Sequence, residues 1–251
     1  MAKTAMVTGA TSGIGKATAL ILAKNGYDII ITGRRDDRLG ELASEIIDKI
    51  HVDCYPLCFD IRNRQQTQQA FDSLPEKWQN IDVLINNAGL AAGLSSIHEG
   101  DYNDWEQMID TNIKGLLYIT KIISQIMVKK QSGHIINIGS IAGKEAYANG
   151  TVYCATKHAV EAITKGMRID LNPYGIKVGS ICPGAVETEF SIVRLKDEAA
   201  NDKVYAGFTP LNAQDIAESI LFMVTRPPHV NIGDILILPT AQASATVINR
   251  K

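Results

Sequence analysis

Short apolar runs alternate with longer amphipathic stretches along the whole chain. The strand candidates are residues 4–8, 27–32, 51–59, 81–85, 134–139, 177–181 and 234–238. Helical patterns lie between them, at residues 13–25, 36–50, 62–74, 104–130, 152–171 and 213–224. Several strands are apolar nearly throughout, which is typical of strands covered on both faces. The pattern therefore predicts an α/β fold, a doubly wound parallel sheet whose ligands bind beyond the carboxyl ends of the strands.

Composition narrows the class of protein. The chain has 251 residues, of which 45% are hydrophobic and 21% charged, and neither a repeat nor a Pro/Ser-rich linker divides it, so we expect one domain over residues 1–251. The formal net charge of −2 gives no general attraction for nucleic acid or an acidic membrane. No apolar run approaches the roughly 20 residues that span a bilayer. The four cysteines are too few for a disulfide framework and fit a reduced, cytoplasmic protein.

A glycine-rich turn joins the first strand to the first helical pattern. Glycine is needed where the chain turns tightly or where backbone approaches a pyrophosphate, and the N–H groups at a helix N-terminus attract phosphate. An ordinary loop can carry three glycines, but the position between a strand and a helix favours a dinucleotide. The candidate cofactor residues in this turn are Gly9, Ala10, Thr11, Ser12, Gly13, Ile14 and Gly15.

The end of the second strand distinguishes between the two nicotinamide coenzymes. An NAD site places Asp or Glu about 20 residues beyond the glycine turn, against the ribose 2′-hydroxyl. This chain has Arg34 and Arg35 there instead, and arginine can hold the 2′-phosphate of NADP with two parallel hydrogen bonds. Asp36 and Asp37 follow, where acids suit the first turn of a helix. The two arginines predict NADP, and solvated surface charges are the alternative.

A candidate proton donor lies in the helical pattern 152–171. Tyr153 and Lys157 are one turn apart and share a helix face. An ammonium near a buried phenol favours the phenolate and lowers the pKa, although two unrelated surface residues would show the same spacing. Ser140, at the end of a strand, can donate to a carbonyl oxygen or simply cap a turn. Asn112, a poor helix former inside a long helical pattern, either faces the site or is exposed.

With these motifs in this order, the sequence resembles the short-chain dehydrogenase/reductase family over nearly its whole length. The resemblance rests on the glycine turn, Asn86-Asn87-Ala88-Gly89, Asn112, Ser140, Tyr153-x-x-x-Lys157 and Pro183-Gly184. It implies a single Rossmann domain with a seven-stranded parallel sheet. It also implies reversible hydride transfer between NADP and a hydroxyl or carbonyl carbon. Because family members pair their long helices, a homotetramer is expected.

The same resemblance implies roles for individual residues. Tyr153 would be the catalytic acid/base and Ser140 would position the substrate oxygen. Lys157 would lower the Tyr153 pKa and hold the nicotinamide ribose, and Asn112 would support a proton relay through water. Further cofactor contacts are implied for Asp60, Ile61, Asn87, Ala88, Gly89, Pro183, Gly184, Val186 and Thr188.

Two segments indicate the class of substrate. Residues 183–194 and 234–244, together with the two arginines, are similar to NADP-dependent 3-hydroxy acid dehydrogenases that oxidise serine, allo-threonine and related acids. A carboxylate needs a cation nearby, for which Arg194 and Lys196 are candidates. The substrate-binding residues are therefore predicted to be Ser140, Tyr153 and Arg194. The polar stretch 187–212 is either a lid over the site or a mobile surface loop.

Two other functions stay open. A 3-oxoacyl-thioester reductase of fatty-acid synthesis would need a basic surface for its acidic carrier protein, and the sequence shows no strong basic cluster. A catalytically idle NADP-binding sensor would not need all four candidate catalytic residues. The five histidines have no ligand spacing and the Cys54-x-x-x-Cys58 pair has no second pair, so no metal is expected.

Overall fold

Seven parallel strands form one sheet in the computed structural model, which describes residues 2–190, 194 and 204–251. The strands are β1 (Lys3–Thr8), β2 (Tyr27–Gly33), β3 (Cys54–Cys58), β4 (Val83–Asn86), β5 (Gly133–Ile138), β6 (Ile176–Pro183) and β7 (Asp234–Ile237). Their order across the sheet is β3-β2-β1-β4-β5-β6-β7. The predicted doubly wound sheet is confirmed. The strand order reverses between β1 and β4, and a crevice opens there beyond the carboxyl ends of the strands.

Seven α-helices connect the described strands. They are α1 (Gly13–Lys24), α2 (Asp36–Ile50), α3 (Arg64–Asp72), α4 (Tyr102–Ile109), α5 (Leu116–Lys130), α6 (Thr151–Leu171) and α7 (Ala213–Val224). A π-helical segment, Asp110–Gly115, joins α4 to α5, and a 3-10 turn, Ile141–Gly143, follows β5. Within the described part of the chain, no helix combines the length and apolar character needed to cross a bilayer.

The core lies on both faces of the sheet. On β1, Ala5 and Val7 pack into a cluster with side chains of α1, α2 and α7. Met6 points to the opposite face, where Ile119 and Ile123 of α5 belong to a second cluster. Both faces of the central strands are therefore buried, which explains why these strands read as continuous apolar runs rather than as an alternation.

Several element boundaries differ by a few residues from the sequence prediction, and two of the differences have a local cause. The strand predicted from residue 51 starts only at Cys54, because His51 is the left-handed C-cap of α2, with φ 62°. The helix predicted from residue 62 starts at Arg64, because the Asn63 side chain accepts hydrogen bonds from the first free N–H groups of α3. A capping residue sets each of these two boundaries: His51 ends α2 and Asn63 begins α3. Hydrophobic periodicity gives little information about the position of a cap.

Candidate active site

A cleft of about 690 Å³ runs along the carboxyl ends of the strands. Most predicted site residues line it: Gly9, Thr11, Ser12, Gly13, Ile14, Arg34, Arg35, Asp60, Ile61, Asn87, Ala88, Gly89, Ser140, Tyr153, Lys157, Pro183, Gly184, Val186, Thr188 and Arg194. Ala10, Gly15 and Asn112 are buried and do not line it. Residues from opposite ends of the chain thus meet in one cleft, whose volume suits a bound coenzyme.

The turn between β1 and α1 has no room for side chains at two of its glycines. Gly9 has φ +65°, and a Cβ there would lie 2.9 Å from Ala88 Cα. A Cβ on Gly15 would lie 2.4 Å from both Gly9 O and Asn87 Nδ2. The N-cap residue of α1, Ser12, makes no side-chain cap. The first N–H groups of α1 are therefore left for an anion, as a pyrophosphate site requires.

The two arginines at the end of β2 differ in their exposure and in their hydrogen bonds. Arg35 donates to the hydroxyls of Thr11 (2.6 Å) and Ser12 (2.9 Å), whereas Arg34 is exposed at the cleft rim. Glu189, which the sequence reasoning did not select, pairs with Arg35 (3.2 Å) and with Arg38 (2.9 Å). Arg35 and Arg38 therefore converge on one carboxylate beside the glycine turn.

Asp60 lines the cleft beside these arginines. It forms a 2.6 Å ion pair with Arg62. Hydrogen bonds from Arg62 hold the pKa of the Asp60 carboxyl below its usual range, and Arg34 adds a smaller contribution. Asp60 is therefore a fixed anion and an acceptor at neutral pH.

Tyr153 lies in the first turn of α6 and is 7% exposed. Burial raises the pKa of its phenol well above the ordinary value; Tyr147 acts in the same direction, and a hydrogen bond with Ser140 acts in the opposite one. The sequence predicted a lowered pKa. The net shift is upward because removing the phenolate from water costs more than the nearby positive charges return. The phenol stays protonated at neutral pH.

Ser140 and Lys157 flank this tyrosine. The Ser140 hydroxyl accepts a hydrogen bond from Ala142 N (3.1 Å), so it caps the 3-10 turn as well as contacting Tyr153. Lys157 Nζ donates to Ile138 O (2.8 Å) and lies 6.0 Å from the Tyr153 ring centroid. Burial lowers the pKa of Lys157 to about 8, with Cys182 and Glu161 acting in the opposite direction. Phenol, hydroxyl and amine thus meet at one end of the cleft.

Asn112 is buried in the π-helical segment and does not point to solvent. Its Nδ2 donates to Leu90 O (2.8 Å) and to the Thr156 hydroxyl (3.0 Å), and its Oδ1 accepts from Leu90 N (2.9 Å). The amide ties the segment after β4 to α6. One lone pair of Oδ1 is left over for a water molecule, so the proton-relay role stays a prediction.

Arg194 also lies against Tyr153. Its Nη1 donates to the Tyr147 hydroxyl (3.1 Å), and its guanidinium carbon is 5.4 Å from the Tyr153 ring centroid. Its Nη2 is buried and has no hydrogen-bond partner among the described residues. Phe190 packs on the same tyrosine, with ring centroids 5.9 Å apart. Tyr147 and Phe190 line the cleft but were not predicted from the sequence, since no motif or periodicity distinguishes these two aromatic residues.

The predicted lid, residues 187–212, is described at its two ends and at Arg194. Residues 191–193 and 195–203, and with them Lys196, lie outside the described residues. Glu187 N donates to Leu211 O (2.8 Å), and Leu211 N donates to Ala185 O (3.0 Å). The two described ends of the segment therefore lie side by side.

Comparison with known proteins gives consistent matches. A family model described as short chain dehydrogenase matches residues 3–199. Sulfoacetaldehyde reductase 2 of Chromohalobacter salexigens is 41% identical and the match covers 100% of both chains. The NADP-dependent 3-hydroxy acid dehydrogenase YdfG of Escherichia coli O6:H1 is 43% identical over 96% of both chains. A solved structure, the closed form of serine dehydrogenase complexed with NADP+, matches with a TM-score of 0.92 and 41% identity over 99% of each chain.

Proposed function

This chain belongs to the short-chain dehydrogenase/reductase family, and on that premise we propose that it oxidises a small 3-hydroxy acid with NADP, or reduces the matching keto acid. Serine, allo-threonine and 3-hydroxyisobutyrate are the substrates to test. The broader activity, NADP-dependent oxidation and reduction at a hydroxyl-bearing carbon, is that of the family and of the relatives described above.

The observation that carries the substrate proposal is Arg194 Nη2, which has no hydrogen-bond partner in the part of the chain that the structure describes. A buried guanidinium nitrogen without a partner is costly, and an acid group on the substrate would pair with it. The same guanidinium lies against the Tyr153 ring. In a 3-hydroxy acid one carbon separates the carboxyl carbon from the carbon that bears the hydroxyl. One short molecule can therefore reach both the guanidinium and the phenol.

The residues present fit NADP. The uncapped N-terminus of α1 and the glycine turn would hold the pyrophosphate, and Arg34 and Arg35 would hold the 2′-phosphate, with Arg38 sharing Glu189 with Arg35. Lys157, Asn87 and the residues after β6 would line the rest of the binding path. When bound, NADP accepts or supplies the hydride.

The protein's own part is proton transfer and alignment. In the reducing direction Tyr153, whose phenol is protonated at neutral pH, gives its proton to the carbonyl oxygen. Ser140, beside the phenol, donates a hydrogen bond to that same oxygen. The ammonium of Lys157 stabilises the phenolate that remains. In the oxidising direction the same groups act in reverse, and Tyr153 takes the proton of the substrate hydroxyl.

A substrate panel tests the proposal. We expect NADP to be reduced with serine or 3-hydroxyisobutyrate, followed by NADPH absorbance. If the protein turns over only acetoacetyl thioesters, the 3-hydroxy acid proposal is wrong and the protein is a 3-oxoacyl-thioester reductase. Oxidation of 2-hydroxyethanesulfonate alone would instead indicate a sulfonate, which Arg194 could also pair. Tight NADPH binding without turnover of any carbonyl would contradict an enzyme altogether.

Two further expectations belong to the same proposal. Leu117 of α5 and Ile169 of α6 are 42% and 75% exposed, which supports pairing of these helices in a homotetramer. Light scattering tests this oligomeric state.

The four cysteines are free and fit a reducing, cytoplasmic location. The described ends of the 187–212 segment are hydrogen-bonded to each other, which fits a lid.

A further inference from the structure

Four polar side chains from four elements form a cluster beneath the candidate active site. We call it the Glu161 cluster: Glu161 on α6, Cys182 on β6, Lys144 after the 3-10 turn and Asp234 on β7. Lys144 Nζ lies 2.6 Å from a carboxylate oxygen of Glu161 and 2.6 Å from one of Asp234. The Cys182 sulfur lies 3.1 Å from the other Glu161 oxygen. Glu161 is 6% exposed, so its charge is paired entirely inside the protein.

The cluster is spaced like a set of metal ligands but already holds a cation. One ligand atom each of Glu161, Cys182 and Asp234 lies within 4.8 Å of the others. The Lys144 ammonium pairs with both carboxylates, so it supplies the positive charge that a metal would bring. The cluster is therefore an ion-pair network, and the residues that it contacts indicate its role.

Its neighbours are the candidate catalytic groups. Glu161 follows Lys157 by one turn of α6, and both side chains are buried. Lys157 Nζ bonds to Ile138 O, and a Cβ on the next residue, Gly139, would lie 2.8 Å from Glu161 Oε1. The ammonium and the carboxylate thus touch consecutive residues at the end of β5. Gly143 completes the arrangement, since a Cβ there would lie 2.8 Å from Lys157 O and 3.2 Å from Glu161 Cγ.

We propose that Glu161 is a positioning residue for the reaction: its carboxylate keeps Lys157 in the ammonium form and, through Lys144, holds the turn that carries Ser140 against α6. The proposal rests on the proposed function for the roles of Ser140 and Lys157. It explains why a carboxylate is kept in a site where an uncharged side chain would cost less to bury.

The charges around Lys157 favour this role. Tyr153 and Glu161 face it from its own helix and Cys182 from β6, while Lys144 and Arg194 are the cations of the surrounding elements. Burial raises the pKa of the Cys182 thiol far above neutrality, so the thiol carries no charge. Glu161 is then the negative charge that offsets the burial of Lys157, whose pKa is about 8.

The test is the pH dependence of ketone reduction in Glu161→Gln, with Asp234→Asn as the matched control. Each variant removes one of the two carboxylates paired to Lys144, but only the first removes a charge beside Lys157. We expect the alkaline loss of kcat/KM to move to lower pH by about one unit in Glu161→Gln, because Lys157 loses its proton more easily. Asp234→Asn should leave the profile in place. Lower activity without any displacement of the profile, or equal displacement in both variants, would overturn the proposal.

A second variant and a second measurement keep the test informative if Glu161→Gln does not fold or is inactive. If Glu161→Gln does not fold, Glu161→Gln with Lys144→Met removes both charges of the pair, and a shift of the same sign is expected. The pH dependence of the NADPH dissociation constant, read from its fluorescence, reports the Lys157 charge without turnover. The assay uses whichever carbonyl the wild-type protein reduces best. Rejection of 3-hydroxy acids would therefore end the substrate proposal but leave this test intact.

Discussion

Burial makes the Tyr153 phenol a weaker acid than a phenol in water, so it stays protonated until a substrate takes the proton. Tyr153→Phe removes only the hydroxyl and keeps the ring that packs on Phe190. We expect kcat to fall by about 10²- to 10⁴-fold, the usual contribution of a general acid. NADPH binding, measured by fluorescence titration, should change little. Near-normal turnover would remove Tyr153 from its role.

Arg194 should distinguish charged from uncharged substrates. In Arg194→Met the acid group loses its partner, and we expect KM for a 3-hydroxy acid to rise about 10- to 100-fold. KM for an uncharged alcohol of the same length should stay within about threefold. Arg226→Met, which removes a guanidinium stacked on Phe222 at the surface, is the control. Equal losses with both substrates would show that Arg194 supports the fold of the cleft rather than the acid group.

Arg35 should determine the preference of the protein for NADPH over NADH. Arg35→Ala with Arg38→Ala removes the two guanidinium groups that converge on Glu189, and we expect the dissociation constant for NADPH to rise about 10- to 100-fold. The constant for NADH should change far less, because NADH has no 2′-phosphate. Arg226→Ala, which removes a guanidinium stacked on Phe222 away from the cleft, is the control. An unchanged preference for NADPH would refute the phosphate assignment.

At the scale of elements, the joint between α4 and α5 depends on Asn112. Asn112→Leu leaves Leu90 N, Leu90 O and the Thr156 hydroxyl without this partner, and we expect about 2–4 kcal/mol lower free energy of unfolding. Thr111→Val, one residue earlier, removes a buried hydroxyl that has no partner among the described residues and should be nearly neutral. Urea denaturation measures both. Equal losses would show that the segment tolerates no substitution, whatever its hydrogen bonds.

The same joint shows what a sequence can predict. The helix expected over residues 104–130 is present, but the π-helical segment inside it is not visible in the periodicity, because it depends on contacts of Asn112 with distant residues. The Tyr153–Lys157 spacing is local and could be predicted from the sequence. The contacts of Glu161 with Lys144 and of Arg194 with Tyr147 could not, because they form only when the sheet and loops close.

For the whole molecule, the amino-terminal edge of the sheet sets the response to acid. His134, at the start of β5, is 4% exposed, and neither ring nitrogen has a hydrogen-bond partner among the described residues. Burial lowers the pKa of His134 to about 3, and the charges of Lys177 and Lys3 add to this effect. Between that value and about 6.5, the ordinary value for histidine, the unfolded chain binds a proton that the folded protein refuses. Stability is therefore lost as pH falls through this range.

His134→Leu should remove that loss. The wild-type protein should lose about 2–3 kcal/mol of unfolding free energy from His134 between pH 6.5 and 4.5. The variant should lose correspondingly less, since leucine binds no proton and gives up no hydrogen bond to a described residue. His229→Leu, at an exposed site, is the control and should follow the wild type. Parallel pH curves for His134→Leu and the wild type would mean that the His134 ring has solvent or a partner when the protein is folded, and the acid sensitivity would then have to arise elsewhere in the molecule.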